Sequence, residues 1–404
     1  MAEKKYLIKR TLEKNIAELS GEFRSLLLTG SRQVGKSTLL GHLAESEREI
    51  VNFDDDVLRE EATEDPSLFF FNHKPPLLLD EVHRVPDIFL AIKKIIDEDG
   101  RKNLFWLTGS QKLKLMKNAG DSLAGRVLVA EMYGLSISEK QGIPDRKPFI
   151  PCFSEPKKSP LAPDDVLSTV FTGSYPEVQD MTERVRTAWF ESYINTYFEN
   201  DISEFIKPSN FAIFRNFLAI IALRTGEELN YADIASSVGV SAVTVQYWIS
   251  VLEAFGILYI LQPYYTNKLK RLVKRGKLYF MDTGLCAYLC GLNTYDDFRS
   301  SKLAGHLIET FVVTEIIKSY SNNLVHRGLY FYRDYSGCEI GLLIEENGKL
   351  YPVEIKMAMT PKKEMVKHFK IIPPEERGIG ALVSLYPKKE LIERDVVLVP
   401  ISEI

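Results

Sequence analysis

Residues Gly30 to Thr38 read Gly-Ser-Arg-Gln-Val-Gly-Lys-Ser-Thr. Ahead of them Arg24-Ser25-Leu26-Leu27-Leu28-Thr29 ends in a short apolar strand, and after them Leu39-Leu40-Gly41-His42-Leu43-Ala44-Glu45 reads as a helix. Strand, G-x-x-x-x-G-K-S, helix is the context a phosphate-binding loop requires. Gly30 and Gly35 permit a turn tight enough to aim backbone N–H groups inward. The loop amides of Gly30, Ser31, Arg32, Gln33, Val34 and Gly35, with those of Lys36, Ser37 and Thr38 at the helix start, then form a nest for phosphates. The Lys36 ammonium reaches the β and γ oxygens, and the Ser37 hydroxyl is a Mg²⁺ ligand. The alternative is a Gly-rich turn carrying an exposed lysine. It is outweighed because all four fixed positions and both flanking elements fit.

Downstream, Pro76-Leu77-Leu78-Leu79-Asp80-Glu81 is an apolar run ending in two acids. It predicts a buried parallel strand that delivers both carboxylates to the sheet edge bearing the loop. Asp80 is the expected second Mg²⁺ anchor, and Glu81 the group that orients the attacking water. His83 completes a D-E-x-H string but has no helicase core behind it and is read as coincidence. Asn103 to Gln111 predicts another buried strand ending in polar residues, one that in an additional-strand ATPase would lie between the two motif strands. Thr108, Ser110 and Gln111 at its tip are γ-phosphate sensor candidates or else a simple turn. Arg126, before the strand at 127–132, is either an arginine finger, in cis or in a neighbouring subunit, or a structural ion-pair partner. The acids Asp54, Asp55 and Asp56 read as a solvated turn or helix cap in preference to a metal site.

The 404 residues predict two to four domains at about 100–200 residues each. Net charge is −4, so the whole chain is not a polycation seeking nucleic acid, and any such contact needs a local patch. There is no 18-residue apolar run and no apolar signal region at the N-terminus, which makes no membrane partner and a cytoplasmic location the expectations. Four cysteines are too scattered for a disulfide framework. Cys286 and Cys290, four apart, read as small buried thiols.

The reading divides the chain into a phosphate-loop ATPase domain (1–140), a Pro-rich linker and helical region (141–205), a winged helix-turn-helix (206–298) and a nuclease-like domain (299–404). A long aromatic helix over 187–205, with Trp189, Tyr193, Tyr197 and Phe198, is expected to be core. Helix 230–238, a Gly-containing turn and helix 242–255 form the helix-turn-helix. Between its two strands sit Lys268, Lys270, Arg271, Lys274, Arg275 and Lys277 with no acid among them, a candidate DNA-contacting wing. The second helix offers no Arg or Lys for reading bases. Packing against protein is the alternative. In the last domain, Glu354 and Lys356 share one strand face. Glu309 adds a carboxylate from a helix, and Glu339 another from the neighbouring strand. That arrangement predicts a restriction-endonuclease-like fold. The carboxylate such chemistry needs on the middle strand is absent, because Gly341 holds its place, and cleavage is expected to be lost.

These segments together resemble prokaryotic AAA-type ATPases with a C-terminal domain of unknown function. The carriers are L-L-L-T-G-S-R-Q-V-G-K-S-T, L-L-L-D-E-V-H-R-V-P, F-W-L-T-G-S-Q, S-L-A-G-R-V, T-G-S-Y-P-E, L-Y-F-M-D-T-G-L and Y-P-V-E-I-K. The resemblance implies an α/β fold with an additional-strand, AAA/RecA-like parallel sheet. It also implies ATP binding over Gly30–Thr38, Asp80 and Glu81 as the acid pair, a winged helix and a nuclease-like tail. Members show E-[VI]-D where this chain has Glu339-Ile340-Gly341. The resulting expectation is a Mg²⁺-dependent ATPase that repositions its downstream module. The alternatives are a DNA-binding ATPase, an ATP-gated regulator of a protein partner with little turnover, and an active nuclease. A homo-oligomer is compatible with each.

Overall fold

The computed structural model describes residues 8–109, 123–154, 160–197, 205–206, 211–265 and 275–404. The chain separates into two compact units. One comprises residues up to Leu135 together with Ala254–Gly256 and Ser321–Leu324, and the other holds the remainder.

In the first unit the order is α1 (Thr11–Leu19), β1 (Ser25–Thr29), α2 (Lys36–Leu43), β2 (Glu49–Asn52), α3 (Asp56–Glu64), α4 (Pro66–Asn72), β3 (Leu77–Asp80), α5 (Ile88–Asp99), β4 (Phe105–Thr108) and β5 (Val127–Glu131). The strands pair in the order β2-β3-β4-β1-β5, all parallel. The runs L-L-L-T, L-L-L-D and F-W-L-T are apolar on both faces because helices cover both faces of a parallel sheet. Leu27, Leu79 and Leu107 meet Phe89, Ile92 and Ile96 of α5 in its core. The insertion of β4 between β1 and β3 gives the additional-strand order. The pairings Leu28↔Thr108 and Asn52↔Asp80 align the C-terminal strand tips in one row. The acidic triplet is a helix start: the Asp55 carboxylate accepts from the amides of Val57 (2.9 Å) and Leu58 (3.3 Å). Asp54 pairs with Arg84 at 2.8 Å.

The second unit contains α6 (Ile137–Lys140), α7 (Pro163–Thr172), α8 (Glu183–Tyr193), α9 (Phe211–Ala222), α10 (Tyr231–Val238), α11 (Ala242–Ala254), β6 (Leu258–Pro263), β7 (Lys277–Phe280), α12 (Thr283–Leu289), α13 (Tyr295–Ser300), α14 (Ala304–Ser321) and strands β8 (Gly328–Arg333), β9 (Glu339–Glu346), β10 (Lys349–Lys356), β11 (Gly380–Ser384), β12 (Glu390–Glu393) and β13 (Val396–Pro400). Helices α10 and α11 meet at 103°. Gly239, at φ +81°, ends the first of them, and the Ser241 hydroxyl accepts from the Thr244 amide (3.1 Å) to start the second. Trp248 packs against Phe214 and Phe217 of α9. The hairpin β6–β7 is no separate ribbon. It joins the C-terminal strands through parallel pairing of Gln262 with Tyr330, giving an eight-stranded sheet in the order β12-β13-β11-β10-β9-β8-β6-β7.

Several elements differ from the sequence reading. Helix α7 takes in residues 163–165 of the stretch read as linker. Pro163 sits in its first turn, where a missing N–H costs nothing. The aromatic helix begins at Glu183 rather than 187; of the rings expected in the core, Tyr193 and Tyr197 are buried and Trp189 is half-buried. Trp189 stacks on Tyr193 at 5.1 Å, and Tyr197 is 1% exposed. Phe198 lies outside the described residues. The strings T-G-S-Y-P-E and M-D-T-G-L form one buried knot. Asp282 accepts from the Ser174 amide and hydroxyl and from the Leu285 amide, and a Cβ on Gly173 would come within 2.6 Å of its carboxylate.

Candidate functional site

The loop after β1 turns through Gly30 at φ +140° and Gly35 at φ +97°. A Cβ on Gly30 would lie 2.1 Å from the Met132 carbonyl oxygen, so only glycine fits there. Gly35 caps α2, and the amides of Lys36, Ser37 and Thr38 open its first turn, aimed where an anion is stabilised. The Lys36 ammonium donates to the Gly30 and Ser31 carbonyls, both at 2.9 Å. The Ser37 hydroxyl lies close enough to the Asp80 carboxyl to act on its charge. Burial pushes the Asp80 carboxyl up from its ordinary value and the Glu81 charge adds to the rise, while the Ser37 hydroxyl and the Lys36 charge pull it down. Thr108, at the tip of β4, is fully buried, and its hydroxyl has no hydrogen-bond partner among the described residues. Ser110 and Gln111 lie outside the described residues.

This donor set fits a magnesium nucleotide. Hydroxyl and carboxylate oxygens meet at the loop, as a hard cation needs. A row of amides and a lysine stand where phosphates carry charge. The orphaned Thr108 hydroxyl supplies one further polar group on the same strand edge.

Glu81 follows Asp80 in a left-handed backbone, φ +54°, a conformation that costs a non-glycine residue energy. Its Oε2 lies 3.1 Å from Nδ1 of the buried His83, an ion-pair distance without the angles of a hydrogen bond. His83, read from sequence as coincidence, therefore touches the group expected to handle water. Its place in a one-turn helix after the strand was the signal available. Arg10 is a second residue the sequence reading missed. It is 6% exposed, and its guanidinium donates to the carbonyls of Val34 (2.9 Å), Tyr133 (2.6 Å) and Gly134 (3.3 Å), tying the loop to the chain after β5.

Arg126 sits at the opposite edge. The Ser25 amide donates to its carbonyl at the start of β1, and its guanidinium grips Asp97 of α5 at 2.7 and 3.3 Å. The loop leaves the far end of β1, roughly 13 Å away at about 3.3 Å per residue. A cis finger is thus corrected to an ion pair.

A second set of predicted residues converges in the other unit. Glu309 of α14, Glu339 of β9, and Glu354 and Lys356 of β10 face one another closely enough that Glu309 and Glu339 raise the Glu354 carboxyl, after burial, its main cause. Lys356 pairs with Glu354 at 2.7 Å. Lys277, expected on the basic wing, is instead 5% exposed on β7, with its ammonium 2.5 Å from Glu339 and 3.4 Å from Glu309. Side chains alternate along a strand, so Lys277 and Tyr279 share the inward face, and the Tyr279 hydroxyl donates to Glu309 at 2.8 Å. Of the remaining wing residues, Arg275 is exposed, and Lys268, Lys270, Arg271 and Lys274 lie outside the described residues.

A parallel additional-strand sheet, a phosphate loop and the Asp80–Glu81 pair give the first unit the fold of a P-loop ATPase domain. Residues 22–140 match the family model described as AAA domain. Residues 164–296 and 304–404 match two models described as domains of unknown function, DUF8612 and DUF4143. Two mycobacterial relatives are each 26% identical over 381 residues, covering 94% of this chain and 80% of theirs: uncharacterized protein Rv2008c of Mycobacterium tuberculosis and uncharacterized protein Mb2031c of Mycobacterium bovis. Among solved structures, the Walker-type ATPase PABY2304 of Pyrococcus abyssi is similar at TM-score 0.41 and 13% identity, over 71% of this chain and 97% of that one. The Aeropyrum pernix ORC2 protein in its ADP form gives 0.33 and 11%, over 74% and 98%. No single helix among the described residues is long and apolar enough to cross a membrane.

Proposed function

We propose that the chain is a Mg²⁺-dependent ATPase whose nucleotide state acts on its helix-turn-helix and C-terminal sheet. The observation that carries the first half is the convergence of Lys36, Ser37, Asp80 and Glu81 at one sheet edge. Mg²⁺, when bound, neutralises phosphate charge and orients the β and γ oxygens. Ser37, in the first turn of α2, and Asp80, at the tip of β3, would hold it. Lys36 exchanges the Gly30 and Ser31 carbonyls for phosphate oxygens. Glu81 orients water and takes its proton, steadied by His83. Thr108 meets the phosphate that is released.

The second half rests on the turn Ala254–Gly256, which ends α11 yet belongs to the ATPase unit. A Cβ on Gly256 would sit 3.5 Å from the Ser31 amide nitrogen in the loop. Gly256 is thus a near neighbour of Ser31 inside the ATPase unit, and this turn is the place where a shift of Ser31 on binding phosphate would be felt. The DNA reading of the wing loses Lys277 to the carboxylate cluster and is the weaker reading.

The test is turnover and amide exchange together. Lys36→Ala should abolish ATP binding, while Glu81→Gln should bind and not turn over. A non-hydrolysable ATP analogue should slow exchange over 254–256 in Glu81→Gln and leave Lys36→Ala unchanged. Normal turnover in both variants overturns the ATPase assignment. Unchanged exchange with saturating nucleotide overturns only the coupling.

A further inference from the structure

The carboxylates of Glu309, Glu339 and Glu354 come from a helix and two strands and act on one another, with the buried Lys277 ammonium at the first two and Lys356 at the third. Lys277 reaches Glu339 at 2.5 Å and Glu309 at 3.4 Å, with Tyr279 fixing the same Glu309 oxygen at 2.8 Å. The acids are partly open, with side chains 26% and 34% exposed for Glu309 and Glu339, while the Lys277 side chain is 6% exposed. The cation thus approaches from within the protein and the carboxylates face outward. Burial alone pulls the Lys277 ammonium down. The two carboxylates outweigh it and hold the group above the ordinary lysine value. Beside them, a Cβ built on Gly341 meets nothing within 4 Å, so the missing carboxylate has left room and no replacement. Among the described residues no three His, Cys, Asp or Glu side chains are arranged to hold a metal ion.

We propose that the Lys277 ammonium stands in for a divalent cation in this cluster, closing it to metal in the native chain. Two acids on different elements need positive charge to lie so close. A fixed internal ammonium supplies it permanently. It also repels any divalent ion drawn to the same oxygens, by on the order of 100-fold in affinity or more at this spacing. The cleft keeps its shape and loses the ion that would activate water. This inference is independent of the ATPase reading, since it concerns only the C-terminal sheet.

The experiment counts Mn²⁺ bound by the full chain without nucleotide, from the electron paramagnetic resonance signal of free Mn²⁺. Lys277→Met, matched in length and uncharged, should bind one Mn²⁺ per chain more than the native protein. Adding Glu309→Gln and Glu339→Gln should remove that ion. If Lys277→Met unfolds, refolding on Mn²⁺ addition supports the proposal, and failure to refold overturns it. Equal Mn²⁺ binding by folded Lys277→Met and native chains overturns it as well. So does a native Mn²⁺ ion that disappears in Glu309→Gln/Glu339→Gln.

Discussion

Replacing Arg10 with alanine should damage the phosphate loop from a distance. The guanidinium makes two short bonds to the loop and its support, at 2.9 Å to Val34 and 2.6 Å to Tyr133. A hydrogen bond from a charged donor is worth about 1.5–3 kcal/mol, so their loss costs about 4 kcal/mol. At about 2–4 °C per kcal/mol for a domain of this size, melting falls by about 10 °C. If roughly a third of the loss bears on the loop's binding geometry, nucleotide affinity weakens about tenfold, since about 1.4 kcal/mol is one decade. Scanning fluorimetry reads the first quantity and a fluorescent ATP analogue the second. Arg10→Lys keeps the charge without the fork and should fall between native and alanine. Native melting and native affinity in Arg10→Ala would refute the brace. A lower melting point with native affinity would reduce Arg10 to a packing residue.

The ion pair and the histidine give two further expectations. Arg126→Ala removes a half-exposed pair worth at most about 1 kcal/mol and should leave turnover unchanged. A turnover loss beyond tenfold that depends on protein concentration would instead place it in a neighbouring chain's site. His83→Ala should lower kcat about tenfold with ATP affinity intact, a part of the about 100-fold or more that a general base supplies. An unchanged kcat refutes the positioning role.

The phosphate loop and the acid pair were legible because each is a local pattern, a strand and a turn whose residues act where they stand. Asp55 as a helix cap was legible for the same reason. Lys277 was not. A lysine among other basic residues reads as solvated until pairing carries β7 beside the C-terminal strands, and its partners are 32 and 62 residues away. Arg10 anchors to a carbonyl 123 residues on. The cis role of Arg126 turned on whether the start of β5 lies beside the start or the end of β1, which only the strand pairing shows. Glu309, Glu339 and Glu354 were legible as a set, yet Lys277, the cation paired with two of them, lay in a different segment.

The parallel contact of β6 with β8 also bears on how this chain can be cut. The stretches 164–296 and 304–404 match separate family models, yet the sheet runs through both. Expressing either alone would strip β6 or β8 of its neighbour and bare a row of backbone donors and acceptors. The severed fragment carrying 304–404 would also keep Glu309 and Glu339 and lose Lys277. Fragments made at that junction are therefore expected to self-associate. The 304–404 fragment alone would present Glu309 and Glu339 without the ammonium that pairs with them in the intact chain.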